Sequence, residues 1–141
     1  MLIFLYGSDT YRLKQNLGML VGEYRKKNSG LSFLAFNFDD LSAQAGEPRR
    51  KLEQFEDALK TVSFFDDKRL IRLNGARSAG DGVIALAEKY NLASDKNFII
   101  ILTENVSEIE LGKKGSRKYL DFLKAKSSLT RSFESLSGKQ L

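Results

Sequence analysis

Leu2-Ile3-Phe4-Leu5-Tyr6, followed at once by Gly7-Ser8-Asp9, is the stretch that decides how this 141-residue chain reads. An unbroken apolar run of that length is expected of a central strand covered on both faces. Gly7-Ser8-Asp9 breaks it, and Ser8 or Asp9 can cap the exposed amides of a following helix. That helix is expected to run to about Lys27, because Leu13, Leu17, Leu20, Val21 and Tyr24 recur at helical spacing. Asn28-Ser29-Gly30 ends it.

Working outward, the same alternation repeats. Leu31–Phe38 reads as a second strand, with Phe33, Leu34, Ala35, Phe36 and Phe38 apolar enough to be buried. A polar connection from Asp39 to Pro48 leads into a helix over about Arg49 to Val62, with Leu52, Phe55, Leu59 and Val62 on one side. Lys68–Asn74 reads as the third strand and Asn74–Gly82 as a flexible loop with three glycines. Val83–Tyr90 reads as a short helix. Phe98-Ile99-Ile100-Ile101-Leu102 is the strongest buried-strand signal in the chain. Thr103 to Ser116 is expected to be a polar loop with an apolar cluster at Val106, Ile109 and Leu111. A helix over Arg117–Lys126, with Tyr119, Leu120 and Leu123 inward, precedes a fifth strand at Ser128–Phe133. Strands alternating with helical crossovers predict an α/β fold with three layers, a parallel sheet with helices on both faces. Length predicts one domain over residues 1–141, and the ending Ser135 to Leu141 suggests a fragment of a longer protein.

Composition removes several kinds of chemistry. The chain has no cysteine and no histidine. Thiolate catalysis and the usual neutral-pH general base are therefore absent. No segment approaches the roughly 20 apolar residues of a membrane span, and the apolar start lacks the basic leader of a signal peptide. A cytoplasmic location without a membrane partner is expected.

The place where such folds usually hold a ligand is the turn after the first strand. A phosphate-cradling loop needs several glycines and a Lys followed by Ser or Thr. Tyr6-Gly7-Ser8-Asp9-Thr10-Tyr11-Arg12 has one glycine and no such pair, and Asp9 puts a negative charge where a phosphate would sit. The third strand ends Arg72-Leu73-Asn74-Gly75, without the acid that would hold a metal, and the strongest strand ends Leu102-Thr103-Glu104 with a single carboxylate. No NTP hydrolysis, no catalytic residue, no cofactor and no metal site are expected. Asp39-Asp40 reads as a solvated turn, since neighbouring side chains on an extended chain point apart.

Two features remain. Thr61-Val62-Ser63-Phe64-Phe65-Asp66-Asp67-Lys68 puts adjacent phenylalanines at a helix–strand join. One ring can continue the helix's inward stripe, and its neighbour then tends outward, where it could fill a partner's pocket. Closure of the core by both rings is the alternative. From Gly112 to Arg131 there are seven Lys or Arg against one acid, Asp121, within a net charge of +5. This excess is either a solvated face or a match for an acidic partner or nucleic acid.

Four landmarks resemble, in order and spacing, the delta subunits of bacterial DNA polymerase III clamp loaders. The first is Phe4-Leu5-Tyr6-Gly7-Ser8-Asp9-Thr10-Tyr11, and the second is the stretch from Phe55 to Ile71. The third is Phe98–Leu102 with the basic helix opening Ser116-Arg117-Lys118-Tyr119-Leu120, and the fourth is the close Phe133-Glu134-Ser135-Leu136. The resemblance implies an N-terminal AAA+-like domain, related to P-loop NTPases but with a degenerate nucleotide site. It implies sliding-clamp (beta subunit) binding through Phe64 and Phe65, with Val62 and Ser63 beside them, and assistance to ring opening during DNA replication. Other clamp-loader subunits would join through C-terminal lid and collar domains that are absent here. Lys113, Lys114, Arg117 and Lys118 would face DNA or a neighbouring subunit. The chain departs from the family pattern in the Phe at the first position of the pair, where Leu is commoner, and in a longer 103–116 loop. Readings independent of the resemblance are a small nucleotide-binding enzyme with an atypical phosphate loop, and a basic nucleic-acid-binding module using Lys113, Lys114, Arg117, Lys118, Lys124 and Lys126.

Overall fold

A computed structural model describes residues 1–28, 32–39, 47–61 and 68–135. Among them, strands and helices alternate. In chain order they are β1 (Leu2–Tyr6), α1 (Thr10–Lys27), β2 (Ser32–Asn37), α2 (Glu47–Lys60), β3 (Arg69–Asn74), a 3-10 turn (Ala76–Ala79), α3 (Gly80–Lys89), β4 (Phe98–Glu104), α4 (Glu108–Leu111), α5 (Arg117–Lys126) and β5 (Leu129–Ser132). The five strands form one sheet in the order β2-β3-β4-β1-β5, and every pairing is parallel.

Side-chain alternation along the strands splits the core in two. Leu2, Phe4, Tyr6, Ile71, Leu73, Ile100 and Leu102 face α2, α3 and α5, where Phe55, Leu59, Val83, Tyr119 and Leu123 close the layer. Ile3, Leu5, Leu70, Ile99 and Ile101 face the opposite way, against Leu13, Leu17 and Leu20 of α1. β1 and β4 are buried along their whole length, which is why both read as continuous apolar runs. The Met1 ammonium fixes the start of β1 by donating to the carbonyls of Leu92, Asp95 and Phe98 at 2.6, 2.7 and 2.7 Å.

Three expectations are corrected. β2 is an edge strand rather than a buried one: Phe33 and Phe36 are half-buried, and Leu34 is 40 % exposed. Its outer edge has no strand beside it among the described residues. Asn74–Gly82 is structured, running through the 3-10 turn into α3. Its glycines serve close packing: a Cβ on Gly80 would lie 2.9 Å from Tyr119 Cβ, and one on Gly82 would lie 2.4 Å from a Leu52 methyl. The 103–116 loop is shorter than expected, because Thr103 and Glu104 complete β4 and residues 108–111 form α4, whose Ser107 cap accepts from the Glu110 amide at 3.2 Å. Leu111 is buried there and Val106 packs on the core, whereas Ile109 is exposed.

Candidate functional site

The connections leaving β1 and β4 run to opposite faces, α1 on one and α4–α5 on the other. The carboxyl ends of these neighbouring strands therefore form a topological switch point, the usual ligand crevice of a parallel sheet. Here the chain's own later segment fills it. The Phe133 amide donates to the Tyr6 carbonyl at 2.7 Å, and the Phe133 carbonyl accepts from the Asp9 amide at 2.8 Å. Gly7, at φ 147°, is what permits this approach, since a Cβ there would lie 2.0 Å from the Phe133 carbonyl oxygen. Ser8 Oγ accepts from the Ser135 amide at 2.9 Å and donates to Glu134 at 3.5 Å. The Asp9 carboxylate accepts from the Arg12 amide at 3.2 Å, so a capping acid already occupies this first-turn donor of α1.

Beside the crevice lies a buried carboxyl. Glu104, the last residue of β4, is 1 % exposed. Its Oε2 accepts from the Tyr119 hydroxyl at 2.9 Å and the Arg77 amide at 3.2 Å. Desolvation pushes its pKa up to about 8, against the lowering effect of those two bonds. Burial, followed by the charge of Glu104, raises the Tyr119 phenol well above its ordinary value. The described residues contain no cluster of three or more acids, cysteines or histidines able to hold a metal.

A ladder of amides and hydroxyls crosses the carboxyl ends of three strands. Asn74 Oδ1 accepts from the Thr103 hydroxyl at 2.8 Å and the Asn105 amide at 3.4 Å. Asn74 Nδ2 donates to Asn37 Oδ1 at 3.0 Å. The asparagine that stands where an NTPase would have its strand-end acid is thus engaged in bonds to its neighbours.

The basic residues are partly neutralised. Lys113 pairs with Glu110 at 2.9 Å, Arg117 with Asp121 at 3.9 Å, and Lys124 with Glu108. Lys114 and Lys118 are exposed and have no ion pair among the described residues. Lys113 and Lys114 share a surface depression of about 410 Å³ with Arg77, Asp39 and Glu110, while Arg117 and Lys118 open α5 next door. The sequence reading missed Arg77, because the segment carrying it looked like a loop.

Val62, Ser63, Phe64 and Phe65 lie outside the described residues. Their flanks are well fixed. α2 closes at Lys60 with Phe55 and Leu59 already fully inward, and the Arg69 guanidinium donates to the Ala58 carbonyl at 2.7 Å, tying the start of β3 to the last turn of α2. No helix among the described residues is long and apolar enough to cross a membrane.

No family model matches the chain, and a search of curated proteins finds none that matches it.

Proposed function

We propose that this chain is a partner-binding domain of the clamp-loader delta type, with an AAA+-like fold and a degenerate nucleotide site, acting on the ring-shaped sliding clamp. The observation that carries the reading is the filled crevice. The turn that would cradle a phosphate is capped by Asp9 and closed by the Phe133 backbone, so the work of the domain falls to its surface. The identity of the partner rests on the ordered resemblance described above, and the anchor on that reading is the pair Phe64 and Phe65. Preferential binding to one clamp conformation would shift the ring toward its opened state without hydrolysis in this domain.

The test is clamp affinity. Phe64→Ala and Phe65→Ala should each weaken binding by about 2 kcal/mol, roughly thirtyfold, as expected for truncation of a central aromatic anchor. Parental affinity in both variants would remove the assignment. Titration with ATP and magnesium should give no saturable binding, and tight binding would favour the nucleotide-enzyme alternative.

One observation favours a second reading. Arg77 and Lys113 share the Glu110 carboxylate in the depression, whereas Lys114 beside them and Lys118 on α5 have no ion pair among the described residues and offer cations to an acidic partner. A DNA affinity falling steeply with salt, and flattening in slope when Lys114 and Lys118 become Ala, would support a nucleic-acid interface.

A further inference from the structure

α1 covers only part of its face of the sheet. It packs on Ile3, Leu5, Leu70, Ile99 and Ile101. The carboxyl-end halves of β2 and β3 on that side carry Ala35, Asn37, Arg72 and Asn74, with Ala35 paired to Arg72 and Asn37 to Asn74. A cavity of about 310 Å³ opens there, bounded by these residues, Asn105 and Lys14 of α1.

Its lining has an unusual polar deficit. Three buried side-chain atoms among the described residues have no hydrogen-bond partner, and two of them, Arg72 Nε and Asn105 Oδ1, belong to side chains that line this cavity. A buried polar atom left unpaired is destabilising, and more so when it is charged. Arg72 has no ion pair among the described residues, and burial without a counter-charge lowers its pKa. It nevertheless stays protonated. Lys14, one turn into α1, adds a second cation with no acid beside it among the described residues.

We propose that this cavity binds a small phosphate-bearing molecule with a hydroxyl group. The Arg72 fork presents its Nε–H and a terminal N–H to two oxygens of the phosphate, the planar geometry that guanidinium offers to oxyanions. Lys14 supplies the second charge, which matches a phosphate monoester carrying close to two negative charges near neutral pH. Asn105 Oδ1 accepts from the hydroxyl. Asn37 and Asn74 hold the floor through their mutual bond. The site is distinct from the filled crevice and from the Phe64–Phe65 link, so it stands or falls independently of clamp binding.

The competing role for Arg72 is simple cover, its methylene stem lying over apolar sheet. Arg72→Met keeps that stem and removes the fork. The experiment titrates the isotope-labelled chain with inorganic phosphate and with glycerol phosphate by NMR, with glycerol alone and chloride at equal ionic strength as controls. The expected result is saturable shifts at Arg72 Nε and the Asn105 side chain, tighter for glycerol phosphate and absent in both controls. Affinity should weaken at least about tenfold in Arg72→Met, and less in Lys14→Ala, with thermal stability of both variants retained. Lys14 is exposed, so its variant carries the test if Arg72→Met does not fold. Absence of shifts with both phosphates, or parental affinity in every folded variant, would overturn the site. Equal affinity for the two phosphates would overturn the hydroxyl contact.

Discussion

Glu104 shows how far one side chain's setting can differ from its sequence context. Its pKa is raised from 4.5 to about 8, mainly because it is removed from water. The folded state therefore keeps a proton that the unfolded chain releases near 4.5. The contribution to stability is full below that value and is lost as pH rises toward 8, at no more than about 1.4 kcal/mol per pH unit. Glu104→Gln keeps an acceptor for the Tyr119 hydroxyl and the Arg77 amide but carries no proton to lose. Denaturant melts across this pH range should show the parent weakening with rising pH and the variant staying level. An equal slope in both would place the pH dependence elsewhere. In the sequence, Leu102-Thr103-Glu104 identified a lone strand-end carboxyl. Its burial came only with the 3-10 turn and α5 folding over it, contacts made by residues 27 positions before and 15 positions after it.

At the scale of elements, Gly18 and Gly22 in α1 are open to solvent, with nothing within 4 Å of a Cβ built on either. Helix-interior glycine costs about 0.5–1 kcal/mol relative to alanine. Gly18→Ala and Gly22→Ala should each stabilise the protein by about that amount, additively, and a loss of stability would reveal a contact on this face. Most elements were legible because their periodicity is strong. α5 and its inward residues Tyr119, Leu120 and Leu123 came out as read, and Asp9 proved to be the cap of α1. β2 was misjudged for a physical reason: an apolar composition signals a strand, but rank within the sheet depends on which strands pair, and that lies in no local pattern. Gly75, Gly80 and Gly82 misled in a related way. Glycine is equally suited to a loop and to close approach, and the distinction rests on Asp39 at Gly75, Tyr119 at Gly80 and Leu52 at Gly82, all far away in sequence.

For the molecule as a whole, the parallel sheet with helices on both faces followed from the alternation of elements, whereas its strand order did not. That order matters for function, because it puts β1 beside both β4 and β5 and brings Phe133 onto Gly7. The absence of a phosphate-loop motif was readable in Tyr6–Arg12. The filling of the crevice by residues 133–135 was not, since it joins positions more than 120 residues apart. The basic run from Lys113 onward was visible as charge, and its pairs Lys113–Glu110 and Arg117–Asp121 are local, yet the pairing of Lys124 with Glu108 and of Arg77 with Glu110 depends on how α4 and α5 sit.

The position of β1 has a consequence for the chain as it is made. β1 pairs with β4 and β5, strands that are synthesised long after it. Long-range parallel pairing must close a large loop before any contact repays it. The apolar run Leu2–Tyr6 therefore waits without its strand partners until Phe98–Glu104 has been synthesised, and without its outer neighbour until Leu129–Ser132 has followed. Nascent chains stalled before Phe98 should remain protease-sensitive at β1. Those extended past Phe133, and clear of the exit tunnel, should become resistant in a single step.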